Sequence, residues 1–284
     1  MKKIIVVLLL ILSPSIVFSK NVNFDLKMIP NSEIETKIIN ETESVFDVIA
    51  EKKVLDELKK DGKKFPTIIR QVSEVNNIDK SFSKNEDGSI DIERKMISSK
   101  VYYIVNENKV EAKESPMDIL VGAVFYIKQS KDGSVELLKI KSEKIPDSQK
   151  EAFFNIISNM QTPLKDKSFN IGDEFIDETP LNLPIDNTVL NLTQKSKYTL
   201  KSINGDKAYF DVIISFDANI NESQTNLNID LNGYGIGELV YDMKSHLDIV
   251  NSVTMNINTK FNIKNMIVST KMTMKLNVEK KLVK

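Results

Sequence analysis

Side-chain chemistry usually needs a histidine, a cysteine or a converging pair of carboxylates, and this chain is poor in the first two. His246 is the one histidine in 284 residues, and there is no cysteine. Ser-His-Asp and Cys-His nucleophiles, thiol chemistry, disulfide frameworks and His/Cys zinc sites therefore have little to work with. His246 follows Lys244-Ser245 where a turn is expected, and reads as an exposed turn residue. Carboxylates are plentiful, and a glycosidase pair would have to come from Asp173, Glu174, Asp177 and Glu178. Those four fall in a stretch that reads as a loop, where acidic residues serve turns. Asn85-Glu86-Asp87-Gly88 joins acids to a glycine but lacks the Asp-x-Asp-x-Asp-Gly spacing of a calcium loop, so it reads as a hairpin turn. No catalytic set, metal site or cofactor motif emerges, and the protein is not expected to be an enzyme.

What the chain does offer is apolar surface with odd neighbours. Gly233-Tyr234-Gly235-Ile236-Gly237 has neither the spacing nor the following helix of a dinucleotide loop. On the strand phase of Leu227, Ile229 and Leu231, all three glycines share the apolar face and leave a bare stripe there. Such a stripe lets a sheet bend or a neighbouring element approach closely, or else leaves room for a ligand's chain. Five methionines follow residue 240: Met243, Met255, Met266, Met272 and Met274. Thioether side chains fill irregular apolar space, in a core or around a variable guest. The candidate cavity-lining set is Phe210, Phe216, Gly233, Gly235, Gly237, Leu239, Tyr241, Met255, Phe261, Met272 and Met274.

The elements that must position these residues are most legible at the C-terminal end. From Leu247 to Phe261 odd positions are mostly apolar, and from Met266 to Val278 the even positions take over, with the phase slipping across Lys264-Asn265. Two long amphipathic strands joined by a turn are predicted. Upstream, Asn204-Gly205 is a strong hairpin signal between strands 188–203 and 207–220, followed by strands 223–232 and 238–243. Residues 163–184, with three prolines, read as a connection, and the proline-free stretch beyond Pro184 suits a long meander. In the first half, short strands are expected at 21–28 and 34–38, then at 67–76, 89–96 and 100–105. A buried strand is expected over 117–127, with a partner at 135–140. Helices are predicted over 46–60, ending at Asp61-Gly62, and over 149–161, where Ala152, Phe153, Ile156, Ile157 and Met160 share one face.

The termini and composition set a compartment. Lys2-Lys3, the apolar run Ile4–Ile11 and the small-residue pattern at Val17 and Ser19 form a secretory leader over residues 1–19. That run is interrupted by Pro14 and falls short of a membrane span. The organisation expected is a leader (1–19), an N-terminal β-rich half with short helices (20–162) and a C-terminal antiparallel meander (163–284), the two halves forming one continuous domain. A net charge of −1 without a basic block disfavours nucleic acid as a partner. Candidate partners are a hydrophobic small molecule or lipid, or another envelope protein.

The order of an apolar strand, Asp132-Gly133-Ser134-Val135, a helix, Ile171-Gly172-Asp173-Glu174-Phe175 and a glycine-punctuated meander resembles exported bacterial families known as domains of unknown function. At fold level it is also similar to the periplasmic lipoprotein-carrier (LolA-like) architecture, over roughly residues 115–280. That resemblance implies a curved sheet covered by helices with an apolar cavity between them. The fold class expected is thus mainly β with a few helices (α+β). Six strands with one apolar face exceed what two short helices can hide, so a second sheet, a partner, a lipid or a bilayer must cover the rest. An exported envelope protein holding a hydrophobic ligand is the first expectation. A filled β-sandwich interaction module and an outer-membrane-associated β protein are the alternatives.

Overall fold

A computed structural model of the protein describes residues 21–24, 28–105, 108–111, 118–146, 167–185, 188–219, 228–263 and 266–284. The strands in chain order are β1 (Val22–Phe24), β2 (Glu33–Ala50), β3 (Thr67–Lys84), β4 (Ile90–Val105), β5 (Asn108–Glu111), β6 (Val124–Gln129) and β7 (Val135–Lys141). They continue with β8 (Lys167–Phe169), β9 (Glu174–Ile185), β10 (Thr188–Asn204), β11 (Lys207–Asn219), β12 (Asn228–Asp242), β13 (Leu247–Ile263) and β14 (Met266–Leu282). Twelve of them form one sheet in the order β7-β6-β4-β3-β2-β14-β13-β12-β11-β10-β9, with β5 paired to β4; β1 and β8 form a separate ribbon. The two halves of the chain meet where β14 lies antiparallel to β2, from Met266 opposite Ala50 to Leu282 opposite Ile34.

The α+β expectation is corrected by this architecture. Among the described residues there is one α-helix, α1 (Lys52–Lys60), which buries nothing, and one 3-10 turn at Asp118–Leu120. The fold is nearly all β. The helix predicted over 46–60 begins later because Phe46, Val48 and Ala50 keep the period of two and pair β14 at Thr270, Val268 and Met266. The helix predicted over 149–161 lies outside the described residues. The connection predicted over 163–184 contains β8 and β9. Pro180 and Pro184 fit there because β9 is an edge strand, and both sit at positions of one parity, so their nitrogens share one side. The glycine stretch does not separate two strands but lies inside β12, and the apolar run over 117–127 is split by a turn at Val121-Gly122 before β6.

Pairing registers place the apolar phase of every long strand on one face. That face holds the odd positions of most of β13 and the even positions of β14 and β2. The opposite face of the central strands is charged and laced across strands, with Lys37 beside Glu74 and Arg70 bonded to Glu43. Two separate cores form on the inner face. In the C-terminal half, Leu200, Phe210, Val212, Leu239, Tyr241 and Val253 are closed over by Val22, Phe24 and Phe169 of the β1–β8 ribbon. In the N-terminal half, Ile90, Ile92, Phe125, Ile127, Leu137 and Ile140 pack with Leu120, Ala123 and Ile145. The ribbon and the segments that carry Leu120, Ala123 and Ile145 thus supply cover that helices were expected to give.

Candidate ligand cavity

The C-terminal residues expected to line a cavity are drawn together, but against one another. Phe210, Leu239, Tyr241 and Met255 are buried in one core, with Phe216 and Met274 packed against it. The Phe24 ring stacks on Tyr241 with centroids 4.1 Å apart and meets Phe210 edge-on at 5.9 Å, while Phe169 meets Phe210 edge-on at 5.2 Å. Met272 is half-buried further along β14, opposite Ile257 and Ser44. Phe261 pairs by its backbone with Ile229 and Val268, and its side chain lies outside the described residues. Gly233, Gly235 and Gly237 face inward opposite Ile257, Met255 and Val253. Their missing side chains are replaced by neighbours: an added Cβ would come within 2.9 Å of Phe216 at Gly233 and within 2.8 Å of Met255 at Gly235. At Gly237 it would overlap the Ser252 carbonyl oxygen of β13.

A cavity of about 340 Å³ does exist on the same inner face, between the two cores. It is lined from β13, β14, β2, β3, β4, β6 and β7 at once. On a flat sheet β13 and β7, six strand spacings apart, would be about 29 Å from each other. One cavity can touch both because the sheet curls. Its apolar floor is Ile34, Ile38, Ile92, Ile127 and Val278. Register then explains its polar wall, since Lys280, Thr36 and Asn77 are direct neighbours across β14, β2 and β3. On one side of this polar row runs an apolar row through Val278, Ile38 and Val75, and on the other a mixed row in which Ile34 stands opposite Asp79, which faces Arg94.

Both cations in the wall are already paired. Asp79 and Arg94 face each other across β3 and β4, and Arg94 Nε and Nη2 donate to the two Asp79 oxygens, each at 2.7 Å. Burial opposes the Arg94 charge, but the Asp79 hydrogen bonds and carboxylate charge outweigh it, so its pKa moves up. Lys280 Nζ donates to Asp248. That pair depends on a β-bulge: Val240 opposes Val250 while Tyr241 opposes Asp248, so Ile249 is unmatched and Asp248 is turned to the inner face. His246, with φ of 57°, sits in the turn before β13 at the cavity's rim, its Nδ1 3.2 Å from the Tyr241 hydroxyl.

The sequence carried a sign of this site that hydropathy alone passes over. Thr36, Asp79, Arg94 and Lys280 are polar residues standing on the apolar phase of their strands, where burial demands a partner or a purpose. Other candidates separate. Glu174 and Glu178 lie on the outward phase of β9, each with a lysine (Lys197 and Lys195), Asp177 lies on the inward phase, and Asp173 closes a turn by accepting from the Asn170 amide. Asp87 accepts from Ser89 N–H and Oγ, as expected of a hairpin turn. Among the described residues no three His, Asp or Glu side chains converge as metal ligands would.

The chain matches no protein-family model and no curated protein. Among solved structures it has slight likenesses to the crystal structure of OccK5 (OpdH) from Pseudomonas aeruginosa and to the translocator domain of the autotransporter NalP from Neisseria meningitidis. The first is 8% identical, covers 90% of this chain and 100% of the other, and has a TM-score of 0.24. The second is 7% identical, covers 88% and 90%, and has a TM-score of 0.20. Likenesses this slight carry no argument about fold or function.

Proposed function

We propose that the protein is an exported, non-enzymatic binding protein of the bacterial envelope that takes the apolar part of a small amphiphile into the cavity between its two cores. The observation that carries this reading is a space of about 340 Å³ floored by β-branched apolar side chains that no part of the described fold fills. Export is supported by the leader pattern of residues 1–19. Charged residues such as Glu35, Lys37, Lys275 and Glu279 on the outer face of β2 and β14 suit a water-facing exterior.

The test is uptake of the apolar fluorophore N-phenyl-1-naphthylamine by the purified protein, together with solvent extraction and mass spectrometry of the protein as isolated. Saturable uptake is expected, and Ile38→Trp, which fills the cavity floor, is expected to abolish it. Absence of uptake, or uptake indifferent to Ile38→Trp in a folded variant, overturns the reading.

A further inference from the structure

We infer that the cavity selects an uncharged amphiphile whose head both donates and accepts hydrogen bonds, of the monoacylglycerol kind, over a fatty-acid anion or an alkylammonium cation. This rests on the cavity reading above and adds the identity of the head group.

The inference starts from two unpartnered side chains. Thr36 is only 8% exposed, and its side chain has no hydrogen-bond partner among the described residues. Buried side-chain oxygens sealed away from any partner occur elsewhere, at Asn40, Ser99 and Ser245, but the Thr36 hydroxyl is reachable from the cavity. Its cross-strand neighbour Asn77 is half-buried, also lines the cavity and has no side-chain partner among the described residues. A buried hydroxyl or amide left unbonded costs free energy unless something bonds it. The buried Thr36 hydroxyl and the half-buried Asn77 amide, side by side on a cavity wall, mark the place where a ligand's polar end is met.

The charges beside them decide what that end can be. Lys280 is neutralised by Asp248 and Arg94 by Asp79, so the polar wall carries two ion pairs and no net charge. An anionic head brought to this row would meet the carboxylates of Asp248 and Asp79 beside cations they already neutralise, and a cationic head would meet the reverse. Either would be an uncompensated charge in a partly enclosed site. Hydroxyl and carboxamide groups each donate and accept. The matching head is therefore neutral and does both, as a glycerol ester does with its hydroxyls and carbonyl, while its acyl chain lies along Ile34 and Ile38.

The experiment is displacement of bound N-phenyl-1-naphthylamine from the exported chain at pH 7.5 by 1-monolauroylglycerol, laurate and dodecyltrimethylammonium, each below its micellar concentration. 1-Monolauroylglycerol is expected to displace the probe at a concentration at least about tenfold lower than either ion. Thr36→Val removes one hydroxyl at constant shape and is expected to weaken 1-monolauroylglycerol by about three- to tenfold more than it weakens the probe, the range of one hydrogen bond. Asn77→Ala gives a second, independent reading should Thr36→Val disturb the fold. Equal or tighter displacement by either ion, or 1-monolauroylglycerol binding unaffected by both substitutions, overturns the head-group assignment alone. Failure of the wild-type protein to take up the probe overturns the cavity reading with it.

Discussion

Replacing Gly237 by alanine tests whether the glycine stripe is filled by the protein itself. The added Cβ would overlap the Ser252 carbonyl oxygen and lie 2.8 Å from Val253 Cγ2 and 2.9 Å from Val253 Cα, where ordinary contact begins at 3.4 Å. Two of these neighbours are backbone atoms of β13, so relief requires β12 and β13 to part by roughly 1 Å. At that separation ladder bonds of about 2.9 Å lengthen beyond bonding range. Losing two or three of them at about 1 kcal/mol each, with about 1–3 kcal/mol of overpacking, outweighs the 0.4–1 kcal/mol gained from a stiffer unfolded chain. The expected cost of Gly237→Ala is about 3–5 kcal/mol. Gly235→Ala meets Met255 Cγ at 2.8 Å, with Ile214 Cβ and the Thr254 carbonyl oxygen at 3.3 Å; its closest contact is a side-chain rather than a backbone atom, and it should cost less, about 1–2 kcal/mol. The assay is urea unfolding followed by circular dichroism, comparing midpoints at unchanged slope. A Gly237→Ala protein within 1 kcal/mol of wild type, or a Gly235→Ala protein as destabilised as Gly237→Ala, would refute the close-approach argument.

Other perturbations probe the ribbon, the cavity wall and the C-terminal core. Phe24→Ala removes a ring that is 1% exposed and seated between Tyr241 and Phe210, and should cost about 3–5 kcal/mol in urea unfolding; a loss under 1 kcal/mol would show that the β1–β8 ribbon does not close that core. Asp79→Asn leaves Arg94 without its counter-charge. With 40% of the Arg94 side chain exposed, the expected loss is about 1–3 kcal/mol, whereas the double change Asp79→Leu with Arg94→Met should melt close to wild type. Tyr198 has its phenol pushed up from 10.0 chiefly by burial, with the Asp177 and Asp248 charges adding. A raised pKa means that the fold prefers the neutral phenol, so this contribution is intact below pH 10 and is lost as pH rises past it. Wild type should therefore lose stability relative to Tyr198→Phe as pH rises above about 10; parallel profiles would count against it.

Side-chain alternation alone located β13 and β14, the inner phase of β11 and the inward face of the three glycines. These are local facts, because each residue's side of a strand is fixed by counting from its neighbour. The same counting left Phe46, Val48 and Ala50 open to a helical reading, since a few apolar residues fit either period until a partner strand is known. Pro180 and Pro184 read as a connection for a similar reason: an edge strand tolerates proline where a central one does not, and which strand is the edge is a matter of pairing. Only the tertiary structure put β14 beside β2, curled the sheet and laid the β1–β8 ribbon over the C-terminal core. It alone filled the glycine stripe with Phe216 and Met255 and set Thr36, Asn77 and the two ion pairs around one space. Sequence period reports that a face is buried, whereas its occupant is decided by contacts between residues far apart in the chain, here as far as Thr36 from Lys280.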